Sequence, residues 1–264
     1  MLNNQSKIWD EKYKKSREYN SVEDFFVYSE NNPSVVAIEP FIKDGISVLE
    51  IGSGTGELIS YLSYKYPNIN TFGVDFSEES VRKSIEVAQK FNIKTFFSCA
   101  DIKTTDFPDN KFDIVFGDQV IGHVDDVDIA MKEIYRITKD DGVVALTISN
   151  KLRPDGWFLN KKLSTKHEGY KQESIFPWKL WLLLKKYKFK PLNLYGDMLF
   201  LFRNLSLIRS VFKKGDTKTV SSAKNNTKDQ KISSGKSFIK SSYIFLDKSA
   251  PSWLKVTIGI LAKK

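Results

Sequence analysis

Cysteine and histidine are scarce in this chain of 264 residues: there is one cysteine, Cys99, and there are two histidines. A single thiol excludes an intrachain disulfide and a cysteine-built metal site, so a reducing, cytoplasmic setting is expected. Long apolar runs are absent as well. The longest patches, Leu180 to Leu184 and Met198 to Phe202, fall short of the roughly 18–20 residues that cross a bilayer, and basic residues flank them. Residues 1–10 are polar and lack the apolar centre of a signal peptide.

The net charge of +9 raises the question of a nucleic-acid partner. Its placement argues against one. Between Lys213 and Lys236 seven lysines face two aspartates, a net +5, which leaves only +4 for the rest of the chain. That segment is rich in Ser, Lys, Asn and Thr and reads as a flexible loop, because it has too little apolar surface to offset its ordering entropy.

From Ile46 onward strands and helices alternate. Ser47 to Ile51 is a short β-rich run that leads into Gly52-Ser53-Gly54-Thr55-Gly56. Leu58, Leu62 and Tyr66 then recur at helical spacing until Pro67. Thr71 to Val74 is a second strand. Ser77 can cap the next helix, with Glu78 and Glu79 in its first turn. Further strands fall at Lys94 to Ser98, Phe112 to Phe116 and Val143 to Ile148, with a helix opened by Asp125 and Asp126 before the last of these. Ser174 and Pro177 start another helix, a strand lies near Phe189 to Tyr195, and Val256 to Ala262 is the final strand. Upstream, residues 1 to about 44 read as amphipathic helix, with Ile8, Trp9 and Tyr13 on one face. Repeated β-α units with apolar strands imply a parallel sheet covered on both faces.

In such sheets ligands bind beyond the carboxyl ends of the strands. The first turn there carries Glu50 followed by glycines at 52, 54 and 56, a spacing different from the GxGxxG of dinucleotide enzymes. The second strand ends in Asp75, a carboxylate able to accept from both hydroxyls of a ribose. The third ends at Asp101-Ile102, where the acid can accept from an adenine amino group while the isoleucine covers the ring.

These stretches resemble the class I S-adenosylmethionine-dependent methyltransferases, in particular the group that includes ubiquinone and menaquinone biosynthesis methylases. The matching runs are Val48 to Gly56, Gly73 to Ser77, Phe112 to Phe116 with Ile121 to Val124, and Ile134 to Gly142. The resemblance implies an α/β, doubly wound, Rossmann-like seven-stranded sheet with an antiparallel last strand, and S-adenosyl-L-methionine as cofactor. It implies that Glu50, Gly52, Ser53, Gly54 and Gly56 shape the pocket for the methionine and ribose portions. Asp75 would hold the ribose, Phe76 would pack on the adenine, and Asp101 and Ile102 would bind the base. The Gly117 carbonyl would meet the methionine amino group, with Gln119 beside it. The same resemblance divides the chain into an N-terminal helical cap (1–45), a core (46–195), an insertion carrying the basic loop 213–236 (196–253) and the last core strand (254–264).

Methyl transfer needs an aligned acceptor and exclusion of water; an oxygen or carbon acceptor must also lose a proton. His167 is the first candidate base and His123 the second. Trp157, Phe158, Tyr170, Phe176 and Trp178 can line an acceptor pocket or seal a helix against the sheet. Met198 to Phe212 can serve as a lid, as a packed helix or as a membrane-interface segment. The expected reaction is O- or C-methylation of a small or lipid-like molecule, with peripheral membrane contact allowed. Rival readings are a nicotinamide-dependent dehydrogenase, a nucleic-acid or protein methyltransferase, and a non-catalytic protein that kept the fold. The Asn/Asp-Pro-Pro-aromatic signature of adenine methylases and a cysteine nucleophile after the fourth strand are both missing.

Overall fold

The computed structural model describes residues 4–151, 173–196 and 257–264. Three short helices open the chain: α1 (Asn4–Lys14), α2 (Val22–Phe25) and α3 (Pro33–Ile38). There follow β1 (Ser47–Ile51), α4 (Glu57–Lys65), β2 (Asn70–Asp75), α5 (Glu78–Lys90), β3 (Phe96–Cys99) and β4 (Phe112–Gly117). A one-turn 3-10 helix at Ile121–His123 precedes α6 (Val127–Ile137) and the long β5 (Thr138–Asn150). The remaining elements are the two-residue β6 (Ser174–Ile175), α7 (Pro177–Lys186), β7 (Lys190–Tyr195) and β8 (Thr257–Lys263).

The main sheet has seven strands in the order β3-β2-β1-β4-β5-β8-β7, and β6 adds a short parallel pairing on β5. Strands β1 to β5 run parallel, while β8 is antiparallel to both of its neighbours. The expected architecture is therefore the observed one. The order reverses at β1, so the carboxyl ends of β1, β2, β3 and β4 reach one edge of the sheet, where ligands of such folds sit.

Burial on both faces explains the near-continuous apolar character of the strands. Leu49, Ile51, Val144, Leu146 and Ile148 pack with Met131 and Ile134 of α6 and Leu180 and Leu184 of α7. On the other face Val48, Ile114, Phe116, Val143 and Ala145 pack with Val35 and Ile38 of α3 and Ile59 and Leu62 of α4. Each such side chain contributes about 1.5–3 kcal/mol by leaving water.

Two helix starts act as read, whereas Ser174 lies in β6 and α7 begins at Pro177 with Phe176 as its cap. Ser77 caps α5 by accepting from Ser80 N, and Asp126 caps α6 by accepting from Ile129 N. The third strand begins two residues later than the sequence pattern suggests, at Phe96. The fifth strand begins at Thr138 rather than Val143, with Asp141-Gly142 as an irregularity inside it; Asp141 has φ 62° and the register against β4 shifts there. Among the described residues no helix is long and apolar enough to cross a membrane. His167, the aromatic residues 157, 158 and 170, the stretch 198–212 and the basic segment 213–236 lie outside the described residues.

Candidate active site

A cleft opens at the carboxyl edge where β1, β2, β3 and β4 end. Its walls are Gly52, Val74, Asp75, Phe76, Ala100, Asp101, Ile102, Lys103, Val120, His123, Val124 and Asp125, and with its open mouth it encloses ≈ 570 Å³. Three strand ends separated by tens of residues meet here because parallel pairing aligns them, with Glu50 opposite Gly73 and Asp75 opposite Cys99.

Asp75 lies at its base, 5 % exposed. Oδ2 accepts from Gly54 N at 2.9 Å and Oδ1 from Ser77 N at 3.0 Å. A carboxylate offers about four acceptor positions, so acceptor capacity remains for ligand hydroxyls. Burial pushes its pKa above the ordinary carboxylate value, and the backbone N–H bonds oppose that shift. Glu50 is buried behind the loop, with Oε2 accepting from Ile59 N at 3.0 Å. Desolvation raises its pKa well above the usual value, and Asp118, Glu57 and Asp75 add to the rise. Asp101 is on the rim, in an ion pair with Lys103 at 3.2 Å, while Ile102 is buried in the wall.

The glycines of the turn serve three different ends. At Gly52 (φ 64°) a Cβ would stand 2.5 Å from Val120 Cγ2, so the loop after β4 folds directly onto it. At Gly54 (φ 55°) it would meet the Tyr13 hydroxyl at 2.9 Å. Gly56 caps α4 with φ 77°, and its vacant Cβ position is taken by the Phe97 ring at 2.6 Å rather than by the cleft. Of the residues assigned to the cofactor from sequence, Gly52, Asp75, Phe76, Asp101 and Ile102 line the cleft. Glu50, Ser53, Gly54, Gly56, Gly117 and Gln119 stand behind or beside its walls.

His123 lines the cleft, with Trp9 edge-on at 5.2 Å between ring centroids. Trp9 and Tyr13 stack at 5.9 Å, and Lys12 Nζ lies 4.0 Å over the indole. Helix α1 thus reaches from the His123 rim to the loop at Gly54. Asp10 fastens it by accepting from Ser77 Oγ at 2.6 Å and Glu79 N at 3.3 Å. Lys83 donates to the carbonyls of Tyr13 and Lys14 and to Ser16 Oγ. Burial, with Asp75 and Glu50 close by, raises the Tyr13 phenol far above its usual pKa. Burial lowers the Lys12 ammonium, which Asp75 partly offsets. Sequence reading placed Trp9 and Tyr13 on one helical face without a target; the spacing of four was the available signal, and its partners are 41 to 114 residues away.

The profile of the methyltransferase-domain family matches residues 42–192. A protein-lysine N-methyltransferase of Saccharomyces cerevisiae is 30% identical over 122 residues, covering 41% of this chain and 53% of that protein. A sterol 24-C-methyltransferase of Aspergillus fumigatus is 30% identical over 104 residues, 39% of this chain and 27% of its own. The chain thus spans about half or less of the length of these curated relatives. In structure, phosphoethanolamine N-methyltransferase 2 of Haemonchus contortus, solved with S-adenosyl-L-methionine, superposes with a TM-score of 0.58 at 18% identity, over 97% of this chain and 60% of that one.

Proposed function

The chain belongs to the class I S-adenosylmethionine-dependent methyltransferases, and on that premise we propose that it transfers the methyl group of this cofactor to a small or lipid-like acceptor. The observation that carries the reading is the convergence of Asp75, Asp101, Phe76 and Ile102 on one cleft behind a Gly52 turn that leaves no room for a side chain.

The donor set fits an adenosyl sulfonium. Asp75 keeps acceptor capacity for a ribose diol after its two backbone bonds, and Asp101 offers a carboxylate at the far end of an apolar wall. Buried carboxylates, costly when unpaired, suit a ligand that carries positive charge. When bound, the cofactor supplies a methyl group already activated for in-line displacement.

The protein's part is to orient and to enclose. Phe76, Ile102 and Val124 supply apolar walls. Helix α1, fastened by Asp10 and Lys83, closes the side above Gly54. His123 stands at the rim as a candidate proton acceptor. The acceptor atom is set by the groups beside the methyl: a hydroxyl or acidic carbon must lose a proton, whereas a neutral amine attacks with its own lone pair. The names of the three relatives, which act on lysine, a sterol and phosphoethanolamine, support a broad class rather than one molecule.

The test is a methyl-transfer screen with S-[methyl-³H]adenosylmethionine against amines, phenols, quinols and sterols, alongside histone and ribosomal proteins. Label on any small acceptor supports the reading. Label on protein alone replaces it with the protein-directed alternative.

A further inference from the structure

On the other flank of β4 lies a second polar group of residues that the cofactor cleft does not use. The loop 117–120 runs between the two, and Asp118 is close enough to Glu50, behind the glycine turn, for its charge to add to the rise in the Glu50 pKa. Val120 folds onto Gly52 and Gly117 beside the cleft, while Asp118 and Gln119 turn toward α3 and β5. Asp118 Oδ1 accepts from Thr147 Oγ1 at 2.6 Å and Ser34 Oγ at 3.3 Å, and Oδ2 accepts from Asn32 Nδ2 at 3.3 Å. All three donors are neutral. Among the described residues no Lys, Arg or His pairs with it.

The neighbours of Asp118 are unfinished. Gln119 is held at φ 61°, a left-handed conformation disfavoured for any residue with a Cβ. Thr147 Oγ1 clamps its N–H at 2.8 Å, and Ser149 Oγ donates to its Oε1 at 3.0 Å. Among the described residues the Gln119 Nε2 is sealed from water and has no hydrogen-bond partner, while the equally buried Tyr195 hydroxyl has only the Ser34 hydroxyl beside it. The Tyr195 ring lies over Gly259, where a Cβ would come within 2.3 Å of it, and Gly259 is the register partner of Thr147. Burial raises the phenol's pKa, the Ser34 hydroxyl opposes that rise, and the charge of Asp118 adds to it. Buried polar atoms without partners are rare in native proteins, and an ordered water, an ion or a ligand can complete their bonding.

We propose that Asp118, Gln119 and Tyr195 form the acceptor's polar subsite and that the acceptor is an amine, Asp118 serving as counter-ion to the nitrogen. This departs from the oxygen or carbon acceptor expected from sequence, and it rests on the methyltransferase activity proposed for the chain. In the transfer, the nitrogen lone pair forms the N–C bond and the C–S bonding pair passes to sulfur, which becomes a neutral thioether. Positive charge moves from sulfur to nitrogen, and the surplus N–H proton leaves to water. A fixed carboxylate beside that nitrogen stabilises the charge as it develops. The same carboxylate repels a phenolate or enolate, whose charge would vanish in the reaction. The unpaired Gln119 amide, with the phenol hydroxyl near by, is left for the polar group that the amine carries.

The experiment compares wild type, Asp118→Asn and Tyr195→Phe. Methyl transfer is measured to ethanolamine, N-methylethanolamine, benzylamine, catechol and 4-hydroxybenzoate. Binding of N-methylethanolamine and benzylamine to protein loaded with S-adenosylhomocysteine is followed by saturation-transfer NMR. Asp118→Asn is expected to lower kcat/KM for the amine about 100-fold and to abolish the NMR signal, with cofactor affinity within about three-fold of wild type. Tyr195→Phe removes a buried hydroxyl whose one neighbour is the Ser34 hydroxyl, so its melting temperature should change little while KM for the amine rises about ten-fold. Turnover of phenols but not amines overturns the proposal, as does absence of amine binding to the loaded wild type. Unchanged amine turnover in Asp118→Asn does the same. So does loss of cofactor affinity in that variant, which would assign Asp118 to the cofactor's own ammonium. Failure of the wild type to bind S-adenosylhomocysteine is a separate result and removes the methyltransferase reading itself.

Discussion

Replacing Asp75 with Asn separates charge from shape at the base of the cleft. The two carboxylate oxygens accept from Gly54 N at 2.9 Å and Ser77 N at 3.0 Å. An amide keeps one of these acceptors and sets an NH₂ against the other N–H. Hydrogen bonds to charged groups are each worth about 1.5–3 kcal/mol, so losing one at the ligand weakens S-adenosylmethionine binding by roughly 10- to 150-fold. Ligand-free stability follows a different rule. Because burial raises the Asp75 pKa in the folded state, the folded protein holds that proton to higher pH than the unfolded chain does. Its favourable contribution is full below the ordinary carboxylate pKa of about 4 and is lost as pH rises through the raised value. Binding of a cation through the ionised carboxylate strengthens across the same window. Melting curves from pH 4 to 8, with and without cofactor, read both slopes, and calorimetry gives the affinity. In wild type the ligand-free melting temperature should fall, and the cofactor-induced increment grow, as pH rises. Asp75→Asn should flatten both partly, since Glu50 titrates in the same sense. An affinity within two-fold of wild type would refute the role given to Asp75, and an unchanged pH slope of the increment would refute the charge argument.

Gly56→Ala should cost about 1–3 kcal/mol in chemical denaturation, because φ is 77° and the Phe97 ring occupies the Cβ position. Adding Phe97→Leu should recover part of that cost by relieving the clash while leaving the backbone strain; full recovery or none would contradict the packing. Lys83→Met removes the bonds to Tyr13, Lys14 and Ser16 that fasten α1. Amide exchange of residues 4–14 should quicken about ten-fold and cofactor affinity fall about five-fold, with the global denaturation midpoint little changed. Exchange at the wild-type rate would mean that Lys83 is not the latch.

How much was legible depends on whether the signal was local. The Ser77 and Asp126 caps, the alternation of β-rich and helical runs, and the acids closing the first three strands are short-range patterns that a chain displays in its own order. The role of Gly56 was not among them: a glycine in a loop looks the same whether a ligand or the Phe97 ring takes the space above it. Trp9 and Tyr13 could be placed on one face of a helix, but not over His123 and Gly54. Asp118 carried no mark at all, since its bonds to Asn32, Ser34 and Thr147 span 86, 84 and 29 residues.

Written in the residue order itself were the parallel sheet, its glycine turn and the carboxylates at its strand ends, because hydrogen-bonding periodicity and turn chemistry are properties of neighbours along the backbone. Only the folded arrangement decided that α1 covers the cleft and that, among the described residues, a carboxylate with only neutral donors lies beside an unsatisfied amide and a buried phenol beyond β4. Those are meetings between segments far apart in the chain, and their free energy comes from burial and charge in space, which adjacency along the backbone does not encode.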